Sequence, residues 1–287
     1  MEGQPILNVS DVWNVIRQDL PAHTHFPVDV KQIATHLSHA IFVDPITQIK
    51  GYAIPGFEGL LASNDAGTKW MIAYNDRLAS QGRIRFTLAH EFGHYLMHRT
   101  FRERFNCGPE EKQTLEAAER KIEKEADQFA SSLLMPLDDV RRQFEGLPFS
   151  IDLLKHCAAR YGVSLTAAAL KWRDIAEGRV IVVAVKDGFL DWACSNEEAY
   201  RSGACFATTR ETIEVPAAST LNHSIWASQG HTGVVKTAAW FPAETDDTVV
   251  QEFSVIEQGA GYCYTLGILI LPELHRADPR APISPRR

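Results

Sequence analysis

The hydrophobic and polar positions divide the chain into a mainly helical first part and a strand-rich second part. Apolar residues that recur at helical spacing predict helices, and short apolar runs between turn residues predict strands. Ser10 and Asp29 are expected to cap the first two helices. The predicted helices of this part are 10–20, 29–37, 84–98, 110–135 and 137–144, and the predicted strands are 40–43, 59–62 and 70–74.

Two short helices are predicted at 151–161 and 165–177, after a boundary at 146–150. Each follows a serine that can act as its N-cap, and the connection Tyr161–Ser164 is typical of a helix-turn-helix. We interpret the pair as a helical hairpin between domains, because helices that read DNA usually carry stronger positive charge. The basic residues that keep DNA binding open as an alternative are Lys155, Arg160, Lys171 and Arg173.

Strand-like runs separated by Gly, Pro, Asp and Asn dominate the chain beyond Gly178. A second, β-rich domain is therefore expected there. The tail from His275 has prolines among arginines, a composition that predicts disorder. The predicted strands of the β-rich part are 180–185, 236–241, 252–256 and 262–271.

Composition excludes several classes of function. Hydrophobic residues make up 45% of the 287 positions and charged residues 23%, which is ordinary for a globular protein. The net charge of −7 argues against binding of nucleic acid through a broad, positively charged surface. The five cysteines are odd in number and form no C-x-x-C pair, which favours a reducing compartment. The first residues do not resemble a signal peptide, and the longest apolar stretch near the end, Tyr264–Pro272, is too short to cross a bilayer. We expect a cytoplasmic protein that is not associated with a membrane.

The segment His90-Glu91-Phe92-Gly93-His94 carries the candidate chemistry. A spacing of four places both histidines on one face of the predicted helix, one turn apart, where two imidazoles can bind one zinc ion. Glu91 can reach water at such a site and act as general base. H-E-x-x-H on a helix is thus a metalloprotease pattern. The competing interpretation, a solvated helix with two surface histidines, is weakened by the apolar setting and by Gly93, which leaves space for another element.

A catalytic zinc site needs a third protein ligand and a position open to water. His98 lies about 12 Å along the helix axis from His90, too far for one ion to join them. On the next long helix, Glu123 falls about 60° from the centre of the apolar stripe, where an unpaired carboxylate would be costly. We choose Glu123 as the third ligand. Glu119, one turn earlier, is its rival, and the alternative is that Glu123 is an ordinary glutamate on the helix face. Asp127, one turn later, can accept the outer N–H of a ligating histidine.

Together these residues resemble the ImmA/IrrE family of metallopeptidases. The matching stretches are 83–98 (RIRFTLAHEFGHYLMH) and 122–136 (IEKEADQFASSLLMP), supported by the strand 70–75 and the helical pair through Tyr161–Ser164. The likeness covers roughly residues 5–175, and two separate motifs agree in order and spacing.

The pattern along the chain and the resemblance together predict an α+β fold with four parts. These are a zincin-like peptidase domain at 1–148, a helix-turn-helix-like hairpin at 149–178, a β-rich domain at 179–274, which in some relatives is sensor-like, and the tail 275–287.

The resemblance also implies a ligand set and a substrate class. The ligands would be His90, His94 and Glu123, with Glu91 as base. The substrate would be a small helix-turn-helix repressor or antitoxin, whose cleavage switches on stress, mobile-element or phage genes. An edge strand at 70–74 would pair with an extended substrate peptide. Tyr74 and Tyr95 are candidates for a substrate-binding or oxyanion-stabilising role by residue type alone.

Two further functions remain open from the sequence. The chain could be a non-catalytic regulator that binds a repressor and uses zinc structurally, or it could bind DNA through residues 150–177, which we do not expect. Zinc suits the ligands best, and manganese also suits a site that contains a carboxylate.

Overall fold

The structure, a computed structural model, describes residues 7–21, 25–54, 56–78, 80–107, 117–222, 229–244, 247–259 and 262–273. It confirms the predicted α+β class, with most helices in the first part and a β-rich second part. The chain divides into two compact units, with a boundary between Lys171 and Trp172.

The helices are α1 (Val9–Asp19), α2 (Val30–Ile41), α3 (Gln81–His98), α4 (Ala117–Leu134), α5 (Leu137–Phe144), α6 (Ile151–Tyr161), α7 (Leu165–Arg173), α8 (Glu197–Arg201) and α9 (Thr237–Trp240). The strands are β1 (Ile46–Tyr52), β2 (Gly59–Ser63), β3 (Trp70–Asn75), β4 (Arg104–Cys107), β5 (Arg179–Lys186), β6 (Phe189–Ser195), β7 (His231–Lys236), β8 (Val249–Gly259) and β9 (Tyr262–Leu271). The predicted start of the fourth helix at 110 and the tail from 275 lie outside the described residues.

The sheet of the first unit has the order β1-β3-β2-β4. Strand β1 is parallel to β3, and β2 is antiparallel to both β3 and β4. The prediction of an edge strand at 70–74 is therefore wrong, because β3 lies inside the sheet and its edges are β1 and β4. The predicted strand at 40–43 is also wrong: α2 continues to Ile41, and the backbone N–H of Phe42 closes its last turn on Ser38. A four-residue apolar run does not distinguish a helix end from a strand.

Helix α3 begins at a serine cap, since the Ser80 side chain accepts from the backbone N–H of Arg83. It packs against α4 at Gly93, where an added Cβ would lie 3.0 Å from the Phe129 ring. The two small residues of α4 near this contact, Ala126 and Ala130, are fully buried. The predicted space for another element beside Gly93 is confirmed, and the element is α4. The contact brings the acidic face of α4 towards the histidines of α3.

The hairpin α6–α7 turns at Gly162, whose φ of 62° is the left-handed conformation that glycine adopts without strain. The Arg85 guanidinium of α3 donates to the Gly162 carbonyl at 3.0 Å and so connects the turn to α3. The caps predicted at Ser150 and Ser164 are present, each accepting from a backbone N–H three residues later. The second helix ends at Arg173, four residues before its predicted end.

A buried carboxylate joins α5 to α6. Asp139 accepts from the guanidinium of Arg160 at 2.8 Å, from the Tyr161 hydroxyl at 2.8 Å and from Arg142 at 3.0 Å. Burial alone would raise the pKa of Asp139, but these three donors outweigh it and lower that pKa. The ionised form of Asp139 therefore stabilises the fold.

We expect Asp139→Asn to lower the free energy of unfolding by about 1–3 kcal/mol at neutral pH, because buried donors lose a charged acceptor. A depressed folded pKa means that the contribution is fully present above the unfolded value near 3.8 and is lost as pH falls below it. The difference in free energy of unfolding between wild type and variant, measured by urea unfolding, should therefore shrink from pH 6 down to pH 3. The control is Asp138→Asn, because the Asp138 side chain is 75% exposed and pairs with Arg141. An Asp139→Asn loss no larger than that of the control would contradict the assigned role.

The second unit is a five-stranded sheet of order β6-β5-β9-β8-β7 around a core of aliphatic side chains. The predicted strand at 236–241 is wrong, since β7 ends at Lys236 and α9 follows. The reason is a tertiary contact: Trp240 Nε1 donates at 2.7 Å to the buried Glu252 carboxylate, which also accepts from Ser219 and Thr220. Among the described residues, no helix has both the length and the apolar character needed to cross a bilayer.

Candidate metal centre

His90 and His94 lie one turn apart on α3 and are buried. Their Nε2 atoms lie 3.0 Å from each other. Both Nε2 atoms also face the carboxylate of Glu123 on α4, which lies 3.3 Å from His90 and 3.2 Å from His94. The structure thus brings together the three side chains that the sequence suggested as ligands.

The spacing of these atoms fits a small tetrahedral ion. Ligand atoms at about 2.0–2.1 Å from zinc stand roughly 3.3 Å apart from one another, which matches the three distances around His90, His94 and Glu123. Among the residues that the structure describes, this is the one group of three or more His, Cys, Asp or Glu side chains placed to hold a metal ion. Two imidazoles and one carboxylate form a donor set that zinc accepts.

The charges around the two imidazoles favour a cation. Burial disfavours the charged form of His90, but hydrogen bonds to Asp127 and Glu123, together with the charge of Glu91, raise the pKa of His90 to about 9. Burial lowers the pKa of His94 to about 4 despite Glu123, so His94 is neutral at pH 7. Burial would raise the pKa of Glu123, but its bonds to both histidines hold that pKa well below its usual range. A pocket that draws a proton onto His90 provides the same negative potential to a divalent ion.

The outer nitrogens of both histidines have partners. His90 Nδ1 lies 2.9 Å from a carboxylate oxygen of Asp127 on α4, the contact that the helix spacing suggested. His94 Nδ1 lies 3.0 Å from Nδ1 of His98, and the Phe105 ring of β4 stacks on His94 with 4.6 Å between ring centroids. The sequence did not indicate Phe105, because its four-residue strand has no recognisable pattern. These contacts fix the orientation of both rings.

Glu91 is completely buried on α3 beside the sheet. Gly59 of β2 lies against it, since an added Cβ there would collide with Glu91 Oε1 and lie 2.6 Å from the methyl group of Thr87. The absence of a side chain at Gly59 is what leaves room for the Glu91 carboxylate. The sequence placed Gly59 in a strand but gave no sign that the strand crosses this point.

We expect Gly59→Ala to lower the turnover number of any hydrolysis that depends on Glu91, by about 10²-fold, since a displacement near 1 Å can cost that much. The atoms nearest an added Cβ at Gly59 belong to Glu91 and Thr87 and not to a candidate ligand, so zinc affinity should stay unchanged. Zinc titration and steady-state kinetics on the same preparation check both parts. Wild-type kinetics in Gly59→Ala would show that the carboxylate position does not matter.

The hydroxyls of the two candidate tyrosines each contact another part of the first unit. The Tyr95 hydroxyl donates at 3.1 Å to the backbone oxygen of Asp44, and its ring is buried against Trp70. The Tyr74 hydroxyl accepts from the Lys31 ammonium at 2.6 Å. The hydroxyl hydrogen of Tyr95 is thus donated within the fold, whereas Tyr74 acts as acceptor in its contact. A substrate-binding or oxyanion-stabilising role stays a prediction for both residues. The rival third ligand, Glu119, pairs with Arg102 at 2.9 Å instead.

The basic residues of the α6–α7 hairpin are engaged within the fold. Arg160 pairs with Asp139, and Lys171 is buried, with its ammonium 3.4 Å from the Ser131 hydroxyl. Contacts to phosphate need basic side chains that reach the surface unpaired, whereas Lys171 is buried and Arg160 is paired with a carboxylate. This arrangement argues against DNA binding through Arg160 and Lys171.

Comparison with known proteins agrees with the predicted resemblance. Residues 36–173 match a family model described as Peptidase_M78, an IrrE N-terminal-like domain. The match begins after α1, so it is shorter than the 5–175 expected from the motifs. No curated protein matches the chain significantly. A solved structure of a Mycobacterium tuberculosis transcriptional regulator is similar in fold, with a TM-score of 0.54 at 12% identity over 92% of this chain and 75% of that one.

Proposed function

We propose that this chain, whose residues 36–173 form an IrrE N-terminal-like domain of the Peptidase_M78 family, is a zinc-dependent endopeptidase. The observation that carries the proposal is the convergence of His90, His94 and Glu123 within 3.0–3.3 Å, beside a buried Glu91. The proposed ligands are these two imidazoles and the Glu123 carboxylate, and manganese is the alternative ion.

The residues of the site would divide the work of peptide hydrolysis. Zinc, when bound, supplies a Lewis acid that polarises the substrate carbonyl and lowers the pKa of water to about 7. Glu91 would take a proton from the attacking water and later give it to the leaving amine. Asp127 would keep His90 in the orientation that binds metal by accepting its Nδ1 hydrogen.

The pocket protects this chemistry from competing proton transfer. The carboxylate of Glu91 and the imidazole of His94 are both 0% exposed, so neither exchanges freely with bulk solvent. The Glu123 side chain is 17% exposed, and we propose that substrate approaches the metal position from this side.

The proposed substrate is a small helix-turn-helix repressor or antitoxin in the cytoplasm. The motifs of α3 and α4 support this substrate class through their likeness to ImmA/IrrE peptidases. Cleavage would release stress, mobile-element or phage genes from repression.

The test is cleavage of the helix-turn-helix protein encoded by a neighbouring reading frame. Zinc-loaded full-length chain should convert it into fragments of defined mass in mass spectrometry, and a chelator should stop the reaction. Cleavage that continues after complete metal removal would contradict a metallopeptidase. An intact repressor in the presence of fully loaded chain would contradict the proposed substrate.

A further inference from the structure

His94 lies at the inner end of a chain of three side chains that leads away from the metal position. Its Nδ1 atom lies 3.0 Å from Nδ1 of His98, one turn later on α3. The other ring nitrogen of His98 lies 3.1 Å from a carboxylate oxygen of Glu125 on α4. The proposed peptidase mechanism gives no role to His98 or Glu125.

The direction of these hydrogen bonds follows from the outer end of the chain. An ionised carboxylate only accepts, so Nε2 of His98 carries the hydrogen and donates it to Glu125. A neutral imidazole has one donor and one acceptor, so Nδ1 of His98 accepts from His94. His94 therefore carries its hydrogen on Nδ1, and the lone pair on its Nε2 is directed towards Glu123 and the metal position.

The reverse direction would prevent metal binding. A donor in place of the Glu125 carboxylate would make Nε2 of His98 an acceptor and Nδ1 a donor. His94 would then accept on Nδ1 and carry its hydrogen on Nε2, the atom that has to bind the ion. Only neutral imidazole nitrogen without a hydrogen is a metal ligand.

We propose that His98 and Glu125 are positioning residues that set the tautomer of His94 for metal binding. The inference rests on the proposed metal site and adds to it a support that acts through a second imidazole. His90 reaches its carboxylate, Asp127, directly, whereas His94 reaches Glu125 only through His98.

Burial explains why an imidazole stands between His94 and the carboxylate. His98 is 2% exposed and Phe105 lies near its ring, so an anion at this position would be strongly disfavoured. The Glu125 side chain is 41% exposed, where water also solvates the charge. The neutral His98 ring orients His94 in the interior, while the charge of Glu125 stays at the surface.

The experiment compares zinc affinities of the full-length chain by competition with a chelator. Glu125→Ala and His98→Phe should each bind zinc about 10–100-fold more weakly, as expected when a residue that orients a ligand is removed. Glu125→Gln keeps an oxygen that can accept and should restore most of the affinity. The matched control is Glu119→Gln on the same helix, whose carboxylate pairs with Arg102, and it should bind zinc like wild type.

Nitrogen-15 NMR of the histidine rings in the zinc-loaded protein supplies a readout that a merely structural role would not change. We expect the hydrogen of His98 on Nε2 and that of His94 on Nδ1. A His98 hydrogen on Nδ1, or wild-type zinc affinity in Glu125→Ala, would overturn the inference and leave the peptidase proposal intact. If His98→Phe does not fold, Glu125→Ala and the tautomer measurement decide. A wild-type chain that binds no zinc would overturn both.

Discussion

Glu91→Gln is expected to abolish peptide cleavage while zinc stays bound. Removal of a general base costs about 10²–10⁴-fold in rate, and a glutamine at 91 can neither accept nor deliver the proton. Glutamine has nearly the shape of glutamate, so the tight space beside Gly59 is preserved. The measurement is kcat/KM for the repressor substrate, together with the zinc content of the same sample.

A neighbouring acid provides the control for this substitution. Glu58 precedes Gly59 and pairs through both carboxylate oxygens with Arg83 of α3, each at 2.7 Å, away from the histidines. Glu58→Gln should therefore cleave at nearly the wild-type rate. Cleavage by Glu91→Gln at the rate of Glu58→Gln would exclude Glu91 as the base. Repressor release that is unaffected by Glu91→Gln would favour a regulator that acts without cleavage.

Glu123→Ala is expected to remove zinc binding at physiological concentrations of the ion. Loss of a ligand should exceed the roughly 10–100-fold effect of residues that only orient ligands. Because an ion that binds the folded state stabilises it, the zinc-dependent rise in Tm should disappear as well. Chelator competition and thermal melting with and without zinc measure the two effects.

Asp127→Asn distinguishes the loss of a ligand from the loss of a residue that only orients one. The substitution changes the partner of His90 Nδ1 and leaves all three candidate ligands in place. The zinc affinity of the variant should therefore be about 10–100-fold lower than that of wild type. If Glu123→Ala binds zinc as tightly as Asp127→Asn, or more tightly, then the third ligand is another residue.

The local part of the site could be predicted from the sequence because helix geometry determines it. Two histidines four residues apart share a face of α3 whatever surrounds them. Glu123 and Asp127, also four apart, share a face of α4. Gly93 indicated only that another element packs against α3, and the Phe129 contact there shows that this element is α4.

The parts that failed depend on contacts between residues distant in the chain. Nothing in the sequence near Trp70 indicates that β1 pairs with the side of β3 that faces away from β2, so the prediction of an edge strand fails. Tyr95 follows His94 directly, yet its hydroxyl bonds Asp44, 51 residues earlier. The link from His98 to Glu125 likewise spans two helices. Residue type and spacing do not contain such information.

The most direct test is X-ray diffraction from zinc-soaked crystals at the zinc absorption edge, with the anomalous signal locating the ion. We expect one ion about 2.0–2.2 Å from Nε2 of His90, Nε2 of His94 and a carboxylate oxygen of Glu123, with solvent at the remaining position. An ion elsewhere, or one whose four positions are all filled by protein atoms, would contradict a catalytic zinc site.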